Sequence, residues 1–149
     1  MQKGFLLFLV FAIMLCTATR GEAQVKFAPL EIKERTLANG LKVVSLRDNS
    51  SPTVAIHVWY KVGGKDDPQG KSGFAHMFEH MMFKGTPQFP GAAMERMISR
   101  EGGFWNAFTW LDYTAYYETM PSDRIDLALQ LESDRMVNTQ MTLEEVESE

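Results

Sequence analysis

His76-Met77-Phe78-Glu79-His80 sets two imidazoles four residues apart with a carboxylate beside the second. On a helix, positions four apart share a face, and Glu79, three on from His76, lies next to that face. Neutral imidazole binds Zn²⁺ at about 2.0 to 2.1 Å, and a catalytic zinc ordinarily takes three protein ligands plus water. Two histidines therefore supply two of the three. A neighbouring carboxylate can accept the proton of an acidified water and later deliver it to a leaving amine. Glu79 accordingly reads as a base and not as a ligand. Two imidazoles and a carboxylate suit one zinc ion, although affinity alone would admit other transition ions. The same five letters also suit an ordinary polar helix face, so the flanking sequence has to decide.

The order His-x-x-Glu-His is the inverse of the commoner His-Glu-x-x-His. The longer run Gly73-Phe74-Ala75-His76-Met77-Phe78-Glu79-His80-Met81-Met82-Phe83-Lys84-Gly85-Thr86 closely resembles the signature of the pitrilysin/insulinase family of zinc peptidases, which includes the mitochondrial processing peptidases. Later landmarks resemble the same family in the same order: Asn106-Ala107-Phe108-Thr109, then Asp112-Tyr113-Thr114-Ala115-Tyr116-Tyr117, then Leu129-Gln130-Leu131-Glu132-Ser133-Asp134-Arg135-Met136. The resemblance runs from about Leu37 to the last residue.

That resemblance implies a zinc-dependent endopeptidase with one Zn²⁺ ion, His76 and His80 as ligands and Glu79 as the base that activates water. It implies that Asn106 and Ala107 lie on an edge strand where extended substrate is held by backbone pairing, a mode tolerant of side-chain sequence. From the residues alone, an ordinary strand that packs Phe108 into a core is the better reading of the same segment, and the resemblance reverses this for Asn106 and Ala107. In the family the third ligand is a glutamate in a later stretch. Glu149 resembles the opening, site-assisting glutamate of that stretch, which places the liganding glutamate past the last residue. The implied partners are a peptide or unfolded polypeptide and a second domain or subunit of the same fold. The alternative is a non-catalytic structural or peptide-binding subunit of that fold; the intact His76, Glu79 and His80 argue against it.

Composition bounds the rest. Hydrophobic residues make up 45% and charged ones 23% of the 149, values near those of folded globular proteins and unlike those of disordered chains. A net charge of −4 and no clustered basic face argue against nucleic acid as a partner, since phosphate binding needs a basic surface.

At the start, Lys3 precedes an apolar run from Phe5 to Leu15, followed by small residues up to Ala23. Residues 1–23 read as a signal peptide and 24–149 as the N-terminal part of a metallopeptidase domain. The expected location is a bacterial periplasm or the exterior. A stable membrane anchor is not expected, because a span needs roughly 20 apolar residues. The one cysteine, Cys16, falls within the leader, which leaves a mature chain without disulfides.

The fold class expected is α+β, an antiparallel sheet with helices packed on one side. Strands at 32–37 and 41–47 flank Asn39-Gly40, a type I′ hairpin signal. The stretch 53–62 alternates, with Val54, Ile56, Val58 and Tyr60 on one face, and is expected to be a third strand in the same sheet. His57, beside Trp59 on the other face, has no metal role. The zinc helix is expected from Ser72 to just before Gly85, with Met77, Phe78, Met81, Met82 and Phe83 packing the core. A second helix, 92–100, ends at Gly102-Gly103. Strands at 104–109 and 113–119 follow, with Trp105, Trp110, Tyr116 and Tyr117 as packing residues. A helix through Val137 should carry Ile125, Leu129 and Met136 as its apolar stripe, with Glu132, Asp134 and Arg135 on a solvated or salt-bridged face. Thr142-Leu143-Glu144-Glu145 has the spacing of a capping box and opens a last helix.

Overall fold

The computed structural model describes residues 29–149, so the expected signal peptide lies outside the described residues. The chain divides into two compact units, one ending at Arg47 and the other running from Asp48 to Glu149.

Within the first unit, strands β1 (Ile32–Thr36) and β2 (Lys42–Leu46) form an antiparallel hairpin with Ile32 opposite Leu46. The expected two-residue type I′ turn is not what closes it. Leu37 N–H donates to Leu41 C=O at 2.9 Å, and Gly40 N–H donates to Leu37 C=O at 2.9 Å. Three residues thus lie between the closing pair, with Gly40 left-handed at φ +88°, the alternative in which a turn is followed by a glycine bulge. Asn39 Oδ1 accepts from Leu41 N–H at 3.1 Å and steadies that turn.

The second unit is built on strands β3 (Thr53–Tyr60), β4 (Phe104–Thr109) and β5 (Thr114–Pro121), ordered β3-β5-β4 and antiparallel throughout. This corrects the expectation that β3 continues the hairpin's sheet: its ladder is with β5, from Thr53–Pro121 to Tyr60–Thr114. The reason is length and pattern. Both strands have eight residues, and Val54, Ile56, Val58 and Tyr60 fall in register with the buried side of β5.

Helices α1 (Phe74–Met81), α2 (Gly91–Arg100), α3 (Ile125–Asn138) and α4 (Leu143–Ser148) complete the unit. Met94 and Ile98 of α2 meet Leu131 of α3 in the core, with Phe89, Trp105 and Leu127 around them. As expected, α2 ends with Gly102 left-handed at φ +75°, and Gly103 N–H donates back to Ile98 C=O at 2.8 Å, satisfying a terminal carbonyl. Thr142 caps α4 in a capping box with Glu145. The other sheet face carries His57, Trp59, Phe104, Phe108 and Tyr117 in mutual ring contact, and Trp59, Phe104 and Phe108 are exposed. Phe108 therefore does not pack into the core. Nor does Trp110, which is exposed at the hairpin turn, or Phe78, which is exposed on α1. Among the described residues no helix is long and apolar enough to cross a membrane.

The stripe expected on α3 is the wrong one. Ile125, Leu129 and Met136 are exposed, whereas Ala128, Leu131, Glu132 and Arg135 are buried. Arg135 explains the inversion. Its guanidinium lies 4.5 Å from the Tyr116 ring centroid and near Phe83 and Trp105, and Nε donates to Glu132 Oε2 at 2.9 Å. Stacked and paired, this cation is a core element that replaces an apolar side chain. The ion pair on α3 is thus buried and not solvated. Asp134 accepts from Thr86 and Asn138, which pins the Gly85-Thr86 turn to α3.

Candidate metal centre

Helix α1 begins without a cap of its own, because Gly73 before it is left-handed at φ +91° and has no side chain. Asp67 supplies the cap from the preceding loop. Its Oδ2 accepts from Gly73 N–H at 2.7 Å and its Oδ1 from Ala75 N–H at 2.8 Å. Those backbone donors hold the Asp67 carboxyl below its usual range, as expected for a carboxylate at a helix N-terminus.

On the helix so anchored, His76 and His80 share the exposed face with their rings edge to face, centroids 4.7 Å apart. Their Nε2 atoms are 3.1 Å apart. Two nitrogens on one tetrahedral zinc sit roughly 3.3 to 3.4 Å apart by the bond lengths above, so the pair fits two ligand positions with little adjustment. Glu149 joins them from the end of α4, its Oε2 accepting from His80 Nδ1 at 2.8 Å. With Nδ1 protonated, His80 Nε2 presents a lone pair, the arrangement by which a carboxylate fixes a metal-binding tautomer. Lys84 Nζ reaches Glu149 Oε1 at 2.5 Å, and Lys84 first, then His80, draws the Glu149 carboxyl below its usual range. Among the described residues no third acid, cysteine or histidine completes a set of three around this pair. The residues present thus fit part of a zinc site.

Glu79, on the same helix, is 7% exposed. Its Oε2 accepts from Thr109 Oγ1, at the end of β4, at 2.5 Å. Thr109 Oγ1 is 3.2 Å from Thr114 Oγ1, which donates to Val62 C=O at 2.9 Å. Sequence reading singled out neither threonine for this role. They stand 30 and 35 positions from Glu79, and only the β4–β5 pairing, in which Thr109 faces Thr114, brings them to it.

Asn106 and Ala107 lie on β4, an edge of the three-stranded sheet. Trp110 N–H bonds Tyr113 C=O across the turn at 2.8 Å, so by antiparallel alternation Phe108 and Asn106 bond to β5 and Ala107 faces outward. The outward Ala107 N–H donates to Asn106 Oδ1 at 2.8 Å. On the far side of α1 from the imidazoles, a cavity of about 380 Å³ is lined by Tyr60, Val62, Phe74, Phe78, Met82 and Tyr116 among others. It includes none of His76, Glu79 and His80.

A mixed α+β unit whose leading helix presents two imidazoles, with an acid between helix and sheet, defines a class of metallopeptidase-like domain. Residues 42–149 match the family described as Insulinase (Peptidase family M16). Zinc protease PqqE of Helicobacter pylori is 38% identical over 102 residues, covering 68% of this chain and 23% of that protein. Human cytochrome b-c1 complex subunit 1, mitochondrial, is 34% identical over 133 residues, covering 89% of this chain and 27% of that protein. The crystal structure of a protease from Helicobacter pylori matches with a TM-score of 0.74 at 33% identity, over 78% of this chain and 28% of that one. The chain belongs to the insulinase family of peptidases, family M16. It spans about a quarter of the length of these curated relatives.

Proposed function

We propose that the protein is a zinc-dependent endopeptidase in which His76 and His80 bind the metal and Glu79 is the general base. The observation that carries this reading is the pair of exposed Nε2 atoms 3.1 Å apart, one on a ring whose tautomer Glu149 fixes. A bound zinc ion supplies Lewis acidity and makes water acidic enough to act near neutral pH. Glu79 takes the water's proton and hands it to the departing amine. Glu149 assists by holding His80. An extended peptide adds to the outer edge of β4, where it replaces the Asn106 carboxamide on Ala107 N–H. The substrate class is a peptide or unfolded polypeptide, handled outside the cytoplasm, and a second domain or subunit of the same fold completes the enclosure.

Replacing Glu79 by Gln in the intact zinc-loaded protein should lower turnover by roughly 10²- to 10⁴-fold with zinc content unchanged. Undiminished cleavage by that variant would refute the assignment. The 34% identity to a cytochrome b-c1 subunit favours a second reading, a structural subunit of this fold. Under it, parent and Glu79→Gln proteins are equally inert toward unfolded peptides.

A further inference from the structure

We propose that Thr109, backed by Thr114, is the positioning residue that aims the Glu79 carboxylate. This rests on Glu79 being the base of the proposed peptidase. Two facts about Glu79 motivate the claim. It sits on the helix that carries the imidazoles yet is nearly buried, and among the described residues its hydrogen bond comes from a different element, Thr109 of β4. That bond occupies Oε2 alone; among the described residues nothing donates to Oε1, which also is not among the buried unpartnered atoms. One oxygen is therefore tied to the sheet, and the other is left open for a water molecule.

The donor is itself constrained. A threonine hydroxyl has one proton, and Thr109 gives its proton to Glu79. The Thr114 hydroxyl, 5% exposed as a residue, gives its proton to the Val62 carbonyl at 2.9 Å. Thr114 Oγ1, 3.2 Å from Thr109 Oγ1, thus presents only oxygen to it, and repulsion between lone pairs turns the Thr109 proton toward Glu79. Two β-branched side chains with restricted χ1, in contact at 3.2 Å, thus stand between the Val62 carbonyl and the carboxylate. Thr109 and Thr114 are paired sheet residues in register, so the aim of Glu79 is set by the sheet and not by the helix that bears it. The same strand carries Ala107 on its outer edge. A substrate laid along β4 is consequently referenced to the same rigid element as the base, the condition under which misplacement of about 1 Å costs as much as 10²-fold in rate.

The experiment compares Thr109→Val and Thr109→Ser with the parent in the intact zinc-loaded protein. Valine keeps the shape and the strand preference but removes the donor; serine restores the donor. The valine variant should lose roughly 10- to 100-fold in kcat, with KM and zinc content unchanged, and serine should recover most of it. Equal kcat for parent and valine variant, with Glu79→Gln inactive, overturns the positioning role and leaves the peptidase reading intact. A fall in zinc content together with kcat also overturns it, because it makes Thr109 merely structural. An inert parent refutes the peptidase reading, and the positioning claim is then decided by crystal structures: a Glu79 side chain that swings away from β4 in Thr109→Val upholds it, and an unmoved one overturns it.

Discussion

Replacing Glu118 by Gln should remove a pH dependence from folding that the wild-type chain carries. Glu118 lies on the helix-facing side of β5, is 1% exposed, and has both carboxylate oxygens buried without a partner among the described residues. Burial chiefly, then the charge of Glu132, outweigh the attraction of Arg135 and push its pKa from an ordinary 4.5 up to about 8. The sign follows by linkage. Between those two values the folded chain holds a proton that the unfolded chain releases, so stability is complete below pH 4.5 and falls as pH rises to about 8. At about 1.4 kcal/mol per pH unit, the 3.5 units between 4.5 and 8 amount to roughly 5 kcal/mol as a ceiling. That is a large part of the stability of a typical domain. Glutamine, nearly the same shape and never charged, lacks this slope. The assay is urea unfolding followed by tryptophan fluorescence at pH 5, 6.5 and 8. Parent and variant should converge at pH 5, and the variant should be the more stable by a few kcal/mol at pH 8. Parallel pH profiles would show that Glu118 is solvated or paired in solution and would refute the reasoning.

Glu149→Ala should weaken zinc binding roughly 10- to 100-fold through loss of the acceptor that fixes the His80 tautomer, while secondary structure is unchanged. Competition with a chromophoric chelator measures this, and equal affinity would count against the arrangement. Gly85→Ala should destabilise the unit by about 1 to 3 kcal/mol. Its φ is +94°, and a Cβ there would stand 2.3 Å from Gly91 N and 2.4 Å from Phe89 O, all backbone atoms that cannot yield cheaply; thermal denaturation gives the test, and an unchanged midpoint would contradict it.

Much of the architecture could be read from the letters because the signals concerned are local. Alternation marked β3, glycines marked the end of α2, a capping box marked α4, and His76, Glu79 and His80 carried their own spacing. A helix places residues four apart on one face whatever surrounds it. The exposed imidazole pair 3.1 Å apart needed no tertiary information beyond that helix forming.

What the letters did not contain was the identity of partners far apart in sequence. Which strand β3 would join depended on matching lengths and buried faces with β5, more than 50 residues later. The buried face of α3 inverted because Arg135 found three aromatic rings and Glu132 to stack on and pair with, and an amphipathic rule that counts every arginine as polar surface misses a cation sheltered in this way. The hairpin turn shifted by one residue because Leu37 and Leu41 close the loop. Local spacing alone brought His76 and His80 onto one face of α1; only the packing of β4 and β5 decided which way Glu79 points, since its hydrogen-bond donor among the described residues comes from a strand that local spacing cannot bring to it.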